Sequence, residues 1–319
     1  MSAARSAAAG LVEKPWLWAF VAAFAVWLAI IGFTRGHGGG QVLTAALTFA
    51  TFSVIVGIGQ MFVITLGPGN VDLSIPATVT LAGSVATKVM ATQDSMLAVG
   101  FAVALLCGLV VGCLNYALIR LLRIPPIIAT LSSAFVIQST AIAYGRGLRI
   151  KPPPLLADFT TARFLEIPIL AICIVVLTAM MSVLLHRTVY GRSVVAIGQS
   201  QRAADLAGIN VGLVRFVTYV LSAVLASLLG FLFSGFSGGA SLSMGEQYLL
   251  ASIAVVVIGG TSVAGGFANL LGLWGAALFL YLVETMLNTY GLGAGFRYMA
   301  TGLIIIAVIV AAGSHRSLR

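Results

Sequence analysis

Apolar runs of roughly 20 residues recur from Trp16 almost to the C-terminus, and at about 1.5 Å of rise per residue each is long enough to cross a bilayer as a helix. In hydrocarbon every backbone N–H and C=O must be satisfied within the protein, so a chain built from such runs is restricted to a bundle of membrane helices. The runs predict helices at 16–34, 42–66, 72–92, 95–120, 125–145, 164–186, 214–236, 248–266, 268–290 and 296–313. The expected fold class is therefore an all-α polytopic membrane protein of about ten segments, some of them broken or re-entrant. Only 8% of residues are charged, where soluble domains carry about 25%, and the mean hydropathy is +1.11. No polar linker divides the chain, so one membrane domain is expected over 16–313. It has an uncleaved first span, a cytoplasmic tail at 1–15, a polar loop at 187–213 and a C-terminal tail at 314–319.

Orientation follows from the basic loops. Arg120 and Arg123, then Arg187, Arg192, Arg202 and Arg215, then His315, Arg316 and Arg319 fall on one side of ten crossings, which the positive-inside rule makes cytoplasmic. The loop from Arg146 to Glu166 argues the other way, with Arg146, Arg149, Lys151 and Arg163 against Asp158 and Glu166. Its Pro152, Pro153 and Pro154 favour a stiff extended stretch, readable as an external docking surface or as a rigid connector. The basic residues behind the net charge of +9 sit singly or in small groups between apolar runs, a pattern suited to anionic lipid and not to nucleic acid. Cys107, Cys113 and Cys173 lie inside apolar runs without metal-ligand spacing and read as packing residues.

Two interruptions mark the runs: Gly67-Pro68-Gly69-Asn70 in the first half, and Gly259-Gly260 with Gly265-Gly266 in the second. Paired breaks of this kind mark transport routes in membrane proteins, although a single glycine also serves close helix packing. Asp72, just past the first break, is readable as a helix cap or as a route residue. Glu284 is readable as a partner of Arg297 or as a lining group. Asn70, Ser74, Asn115, Thr130, Ser132, Gln138, Gly259 and Gly260 complete the candidate route. Ser133 lies beside them on the fifth run, and all these hydroxyl and amide groups could equally bond neighbouring helices.

The polar segment RTVYGRSVVAIGQSQRAADLAGINV from Arg187 is too long for a minimal connection. Ser200 is placed to cap a short helix over Gln201–Ala207, with Gly208 as its stop and Ala203, Ala204 and Ala207 as a close-packing face. Gly191-Arg192, Ala196-Ile197-Gly198, Ala203-Ala204 and Gly208-Ile209 within it resemble the cytoplasmic signature of the ribose/galactose/xylose-type ABC transporter permeases. Further blocks follow in the same order: Asp72-Leu73-Ser74 with Leu81-Ala82-Gly83, Asn115, Ile124 to Leu131, and Ile253 to Ser262 with Gly265-Gly266. That resemblance, from about Phe49 to Val310, implies a permease subunit of an ATP-driven sugar importer in a bacterial inner membrane. Gly191, Arg192, Ala196, Gly198, Ala203, Ala204, Gly208 and Ile209 would then engage a P-loop ATPase. It also implies a second permease subunit, expected to be identical, and a periplasmic sugar-binding protein that selects the cargo. The chain departs from the family where Pro68 and Asn70 extend its usual Gly-Gly-Ile-Asp-Leu-Ser, where Gln199-Ser200-Gln201 replaces an Asn-containing triplet, and where Glu284 adds a carboxylate.

No G-x-x-x-x-G-K-[ST] phosphate loop occurs, so ATP and Mg are expected on the partner and no cofactor on this chain. Neither a metal cluster nor a nucleophile–base pair is visible, and His37, His186 and His315 sit at span ends; an enzyme is not expected. The competing reading is an ion- or proton-coupled secondary transporter using Asp72 and Glu284.

Overall fold

The computed structural model describes residues 15–36, 38–147 and 150–289, with scattered positions from 291 to 306. Helices α1 (Pro15–Phe33), α2 (Gly39–Thr65), α3 (Ile75–Met90), α4 (Leu97–Leu121), α5 (Pro126–Gly145) and α6 (Pro154–Thr161) precede a hairpin of two short strands, β1 (Arg163–Phe164) and β2 (Ile167–Pro168). Then come α7 (Ile169–Arg187), α8 (Val189–Gln199), α9 (Gln201–Leu206), α10 (Val211–Phe236), α11 (Tyr248–Ile258) and α12 (Leu270–Thr289). Among the described residues seven helices are long and apolar enough to cross a membrane, while α3 and α11 are shorter apolar helices. The expected count of about ten segments is not confirmed by these helices; most of the run at 296–313 lies outside the described residues, as do residues 1–14, the tail at 314–319 and Arg297, the expected partner of Glu284.

Two helices form the axis of the bundle. Helix α2 is buried almost continuously from Ala50 to Leu66, as expected of a helix apolar all round. Helix α10 packs on it and on α3 and α4, while α12 lies between α1 and α2. Close approach of α4 to α10 depends on Gly108 and Gly112, a G-x-x-x-G pair. A Cβ on Gly108 would come within 2.6 Å of the Ala223 carbonyl, and one on Gly112 within 3.0 Å of that of Tyr219.

The short helices explain the two breaks. After α2 ends at Thr65 the chain turns through Gly67–Asn70, and α3 begins inside the bundle, at the level of Gln60 on α2. Helix α11 also begins inside. The segment ahead of it folds down until the Gly245 N–H meets Thr80 Oγ1 at 3.3 Å, and a Cβ on Gly245 would strike the Pro76 backbone. From there α11 runs about 16 Å toward the end of the bundle that carries α8 and α9, hereafter the basic end. Hydropathy predicted one helix over 248–266; the helix stops at Ile258 because Gly260, at φ +89°, turns the chain out of the helical region.

At the opposite end the Pro-rich loop is only partly extended. Pro152 and Pro153 precede α6, which starts on Pro154, where a missing N–H costs nothing. The expected span from 164 starts instead at Ile169, because Leu165 and Glu166 both take positive φ (49° and 65°) and close the β1–β2 hairpin. Both angles are those of a type I′ turn, which usually recruits Asn-Gly.

Candidate functional site

Five of the expected route residues converge on one buried polar node. Asp72 Oδ1 accepts the Ser74 N–H at 3.0 Å and Ser74 Oγ at 2.6 Å, and Oδ2 accepts Ser222 Oγ at 2.7 Å. Asn115 Nδ2 donates to Ser74 Oγ at 2.8 Å and its Oδ1 accepts from Ser133 Oγ. Thr130 Oγ1 accepts the Leu73 N–H at 3.1 Å, while Tyr219 Oη donates to Asn70 Oδ1 at 3.2 Å and the Asp72 N–H reaches Gln60 Oε1 at 3.2 Å. Asn70, Asp72, Ser74, Asn115, Thr130 and Ser133 are all buried, as are Gln60, Tyr219 and Ser222.

The node ties the first break to α2, α4, α5 and α10 at once. A carboxylate inside the bilayer costs on the order of 2.5–3.5 kcal/mol, and hydrogen bonds to a charged acceptor return about 1.5–3 kcal/mol each. Three donors on Asp72 therefore hold it without a cationic partner. Among the described residues the ion pair present is Arg163–Glu166, at 3.8 Å on the hairpin. Asp72 thus braces the turn ahead of α3 through Ser74, which is itself the N-cap and has no side-chain cap bond, and also reaches across to α10.

A second constellation gathers at the basic end. Helix α8 ends with Gly198 pressed against the Thr65 carbonyl at the end of α2 and against Gly266. The Gly266 N–H donates to that same Thr65 carbonyl at 3.0 Å, and Gly265 lies over the Gly67 backbone. Both breaks and the signature segment, three stretches far apart in sequence, therefore meet in one glycine junction. Gly191 makes a comparable approach to the carbonyls of Leu184 and Leu185, folding α8 back against α7.

The signature segment forms two helices where one was expected. Gly191, Val194 and Ile197 turn inward and give α8 an apolar face, so burial outweighs the poor helix propensity of its valines and glycines. Helix α9 has the expected ends: Ser200 Oγ accepts the Ala203 N–H at 3.2 Å, and Gly208 at φ +82° closes a Schellman motif through Ile209 N–H to the Ala204 carbonyl at 3.0 Å. Of the expected alanine face only Ala204 is buried. Ala203 and Ala207 are exposed together with Arg192, Arg202, Asp205 and Leu206, while Ala196 and Ile209 are half-buried. Leu206, 82% exposed at the tip of α9, carried no signal beyond being one more leucine.

The remaining candidates lie apart from the node. Ser132 is exposed on α5, and Gln138 donates to the Leu242 carbonyl at 2.9 Å. A Cβ on Gly259 would come within 2.8 Å of the Gly272 backbone, and Gly260 makes the turn after α11. Glu284 is exposed on α12. Sequence reasoning missed Gln60, Tyr219 and Ser222, which supply a third of the node's residues. Among the described residues no three His, Cys, Asp or Glu side chains converge to hold a metal.

Known proteins with this pattern are transport subunits. Residues 42–311 match the family model described as the branched-chain amino acid transport system / permease component. The chain is 31% identical over 260 residues to a ribose import permease of Bacillus subtilis, covering 80% of each protein, and 29% identical over 265 residues to that of Escherichia coli K12, covering 81% of each. It is 27% identical over 307 residues to an autoinducer 2 import system permease of Enterobacter sp., covering 96% of this chain and 89% of the relative. No solved structure matches significantly. These matches favour the importer over the ion-coupled reading. The chain belongs to this family of ABC permeases, within the group that includes the monosaccharide permeases, and is a multi-pass transport subunit rather than an enzyme.

Proposed function

We propose that the chain forms the inner-membrane route for a small sugar, a pentose or hexose, in an ATP-driven bacterial importer. Its relatives are named as import permeases for ribose and for autoinducer 2, which supports a small hydrophilic cargo. The observation that carries the mechanism is the glycine junction. Helix α9 offers an exposed face of Arg202, Ala203, Asp205, Leu206 and Ala207, and α8 leads from it to Gly198, packed on the ends of both breaks.

In this reading a partner ATPase, holding ATP and Mg, docks on α9 at the cytoplasmic side. Its closure moves α8 as a rigid lever. Because Gly198 touches Thr65 and Gly266 directly, the movement reaches the end of α2 and the segment between α11 and α12 without slack. The polar node then keeps α3 in register with α4, α5 and α10 as they shift. A periplasmic sugar-binding protein delivers cargo at the hairpin end, and a second, identical permease subunit closes the route.

Reconstitution with the partner ATPase and receptor in proteoliposomes tests this. Uptake of radiolabelled D-ribose or another receptor-delivered sugar is expected to require ATP and to survive dissipation of ion gradients. Loss of uptake on dissipating the gradient, with ATP held constant, would overturn the reading in favour of ion coupling.

A further inference from the structure

The stretch between α10 and α11 does not stay at the surface. The Leu242 carbonyl is held by Gln138, well inside the 20-residue α5; the Met244 side chain lies against Gly83, and Gly245 is fastened to Thr80. Since α11 descends about 16 Å from Tyr248 to the basic end, Glu246 and Gln247 sit well inside the bundle's span. Yet both are exposed, as is Ser243. With Phe233 and Met244 they line a cavity of about 530 Å³.

An exposed carboxylate at that depth is costly against lipid, and no Lys or Arg pairs with it among the described residues. The cavity therefore faces water. This separates it from the Asp72 node, whose polar groups are buried and spent on one another.

We propose that Ser243, Glu246 and Gln247 form a solute-contacting site in the permeation route, suited to a neutral polyhydroxylated molecule. The assignment of a sugar as cargo rests on the function proposed above. Glu246 accepts hydrogen bonds from hydroxyls, Gln247 and Ser243 both donate and accept them, and Phe233 with Met244 offers an apolar wall to the C–H face of a ring. Vicinal hydroxyls, each a donor and an acceptor, match this mixture. The cavity volume falls in the range of about 300–1,000 Å³ typical of small-molecule sites.

The test uses the full transporter with its ATPase and receptor, Cys107, Cys113 and Cys173 replaced by alanine, and single cysteines at Ser243, Glu246 or Gln247. A charged, membrane-impermeant methanethiosulfonate is expected to label these positions but not a cysteine at Val136, on the outer face of α5. In the native-cysteine background, Glu246→Ala and Gln247→Ala should each lower D-ribose uptake about ten-fold or more while complex assembly and ATP hydrolysis persist. Absence of labelling at all three positions, or full uptake in both alanine variants, would overturn the proposal. Because labelling needs neither ATP nor sugar, failure of ATP-dependent uptake would count against the importer reading and leave the accessibility result to decide the site.

Discussion

Replacing Gly198 by alanine separates two opposing effects of one methyl group. Within a helix alanine is favoured over glycine by about 1 kcal/mol, and Gly198 lies within α8. Against this, the new Cβ would overlap the Thr65 carbonyl and come within 2.9 Å of Gly266 Cα, backbone atoms that cannot rotate away. The methyl would crowd both ends of the 3.0 Å bond from the Gly266 N–H to the Thr65 carbonyl, so relief requires α8 to back away from the junction or that bond to part. Overpacking costs about 1–3 kcal/mol and a lost buried hydrogen bond about 1–3 kcal/mol, so the net expectation is a loss of about 1–5 kcal/mol. Gly212→Ala is the control, since it gains the same propensity on α10 and meets only the Tyr116 hydroxyl, at 3.1 Å, and Asn210 Oδ1, at 3.5 Å. Thermal unfolding in detergent should place the Gly198 variant several degrees below the parent and the Gly212 variant at or above it. In proteoliposomes the Gly198 variant should hydrolyse ATP with little uptake. Parental stability together with coupled uptake would refute the claim that α8 is wedged at this junction.

Asp72→Asn keeps the acceptor for Ser74 and can turn its amide toward Ser222 Oγ, so a loss of about 1–2 kcal/mol is expected; Asp72→Leu strands three donors and should cost about 3 kcal/mol or more, readable as loss of monodisperse protein by size-exclusion chromatography. Leu206→Glu should leave the fold intact, the side chain being 82% exposed, yet lower ATPase co-purification at least about ten-fold; unchanged association would remove α9 from the docking face. Burial pushes the Tyr190 phenol up to about 12, partly offset by its contact with Thr218. Its folded value lies above the unfolded one of about 10, so its contribution to stability is complete below pH 10 and is lost as the pH rises toward 12. Ultraviolet titration against Tyr190→Phe should show the phenolate appearing around pH 12, and appearance near pH 10 would contradict the burial.

Most spans are legible because long apolar runs leave the backbone no alternative to helix. The short helices were harder. Hydropathy continues through Gly259-Gly260, and a segment that dips into a bundle and one that lies across its end can have the same composition. Nothing in Ser241–Gln247 announced that Gly245 would reach Thr80, so Glu246 passed as part of a connector. The node shows the same limit from the other side. Asp72, Ser74, Asn115 and Thr130 stood out as polar groups near breaks or in apolar runs, but Ser222 did not. Hydroxyls in membrane helices usually bond the carbonyl one turn back, as Thr65, Thr87 and Thr218 do here, and no sequence pattern distinguishes them from one that reaches Asp72. Helix α9 was readable to its ends, since Ser200 and Gly208 are local signals with local partners, whereas α8 exists because tertiary burial stabilises a segment of poor intrinsic propensity.

The most direct test of the importer account is the identity of the proteins that accompany this chain in its own membrane. A tagged copy, extracted in mild detergent with nucleotide trapped, should bring down a P-loop ATPase and a periplasmic sugar-binding protein in mass spectrometry, and the ligand bound to that receptor would name the cargo. Repeated recovery of a transport-active preparation containing neither protein would contradict the account.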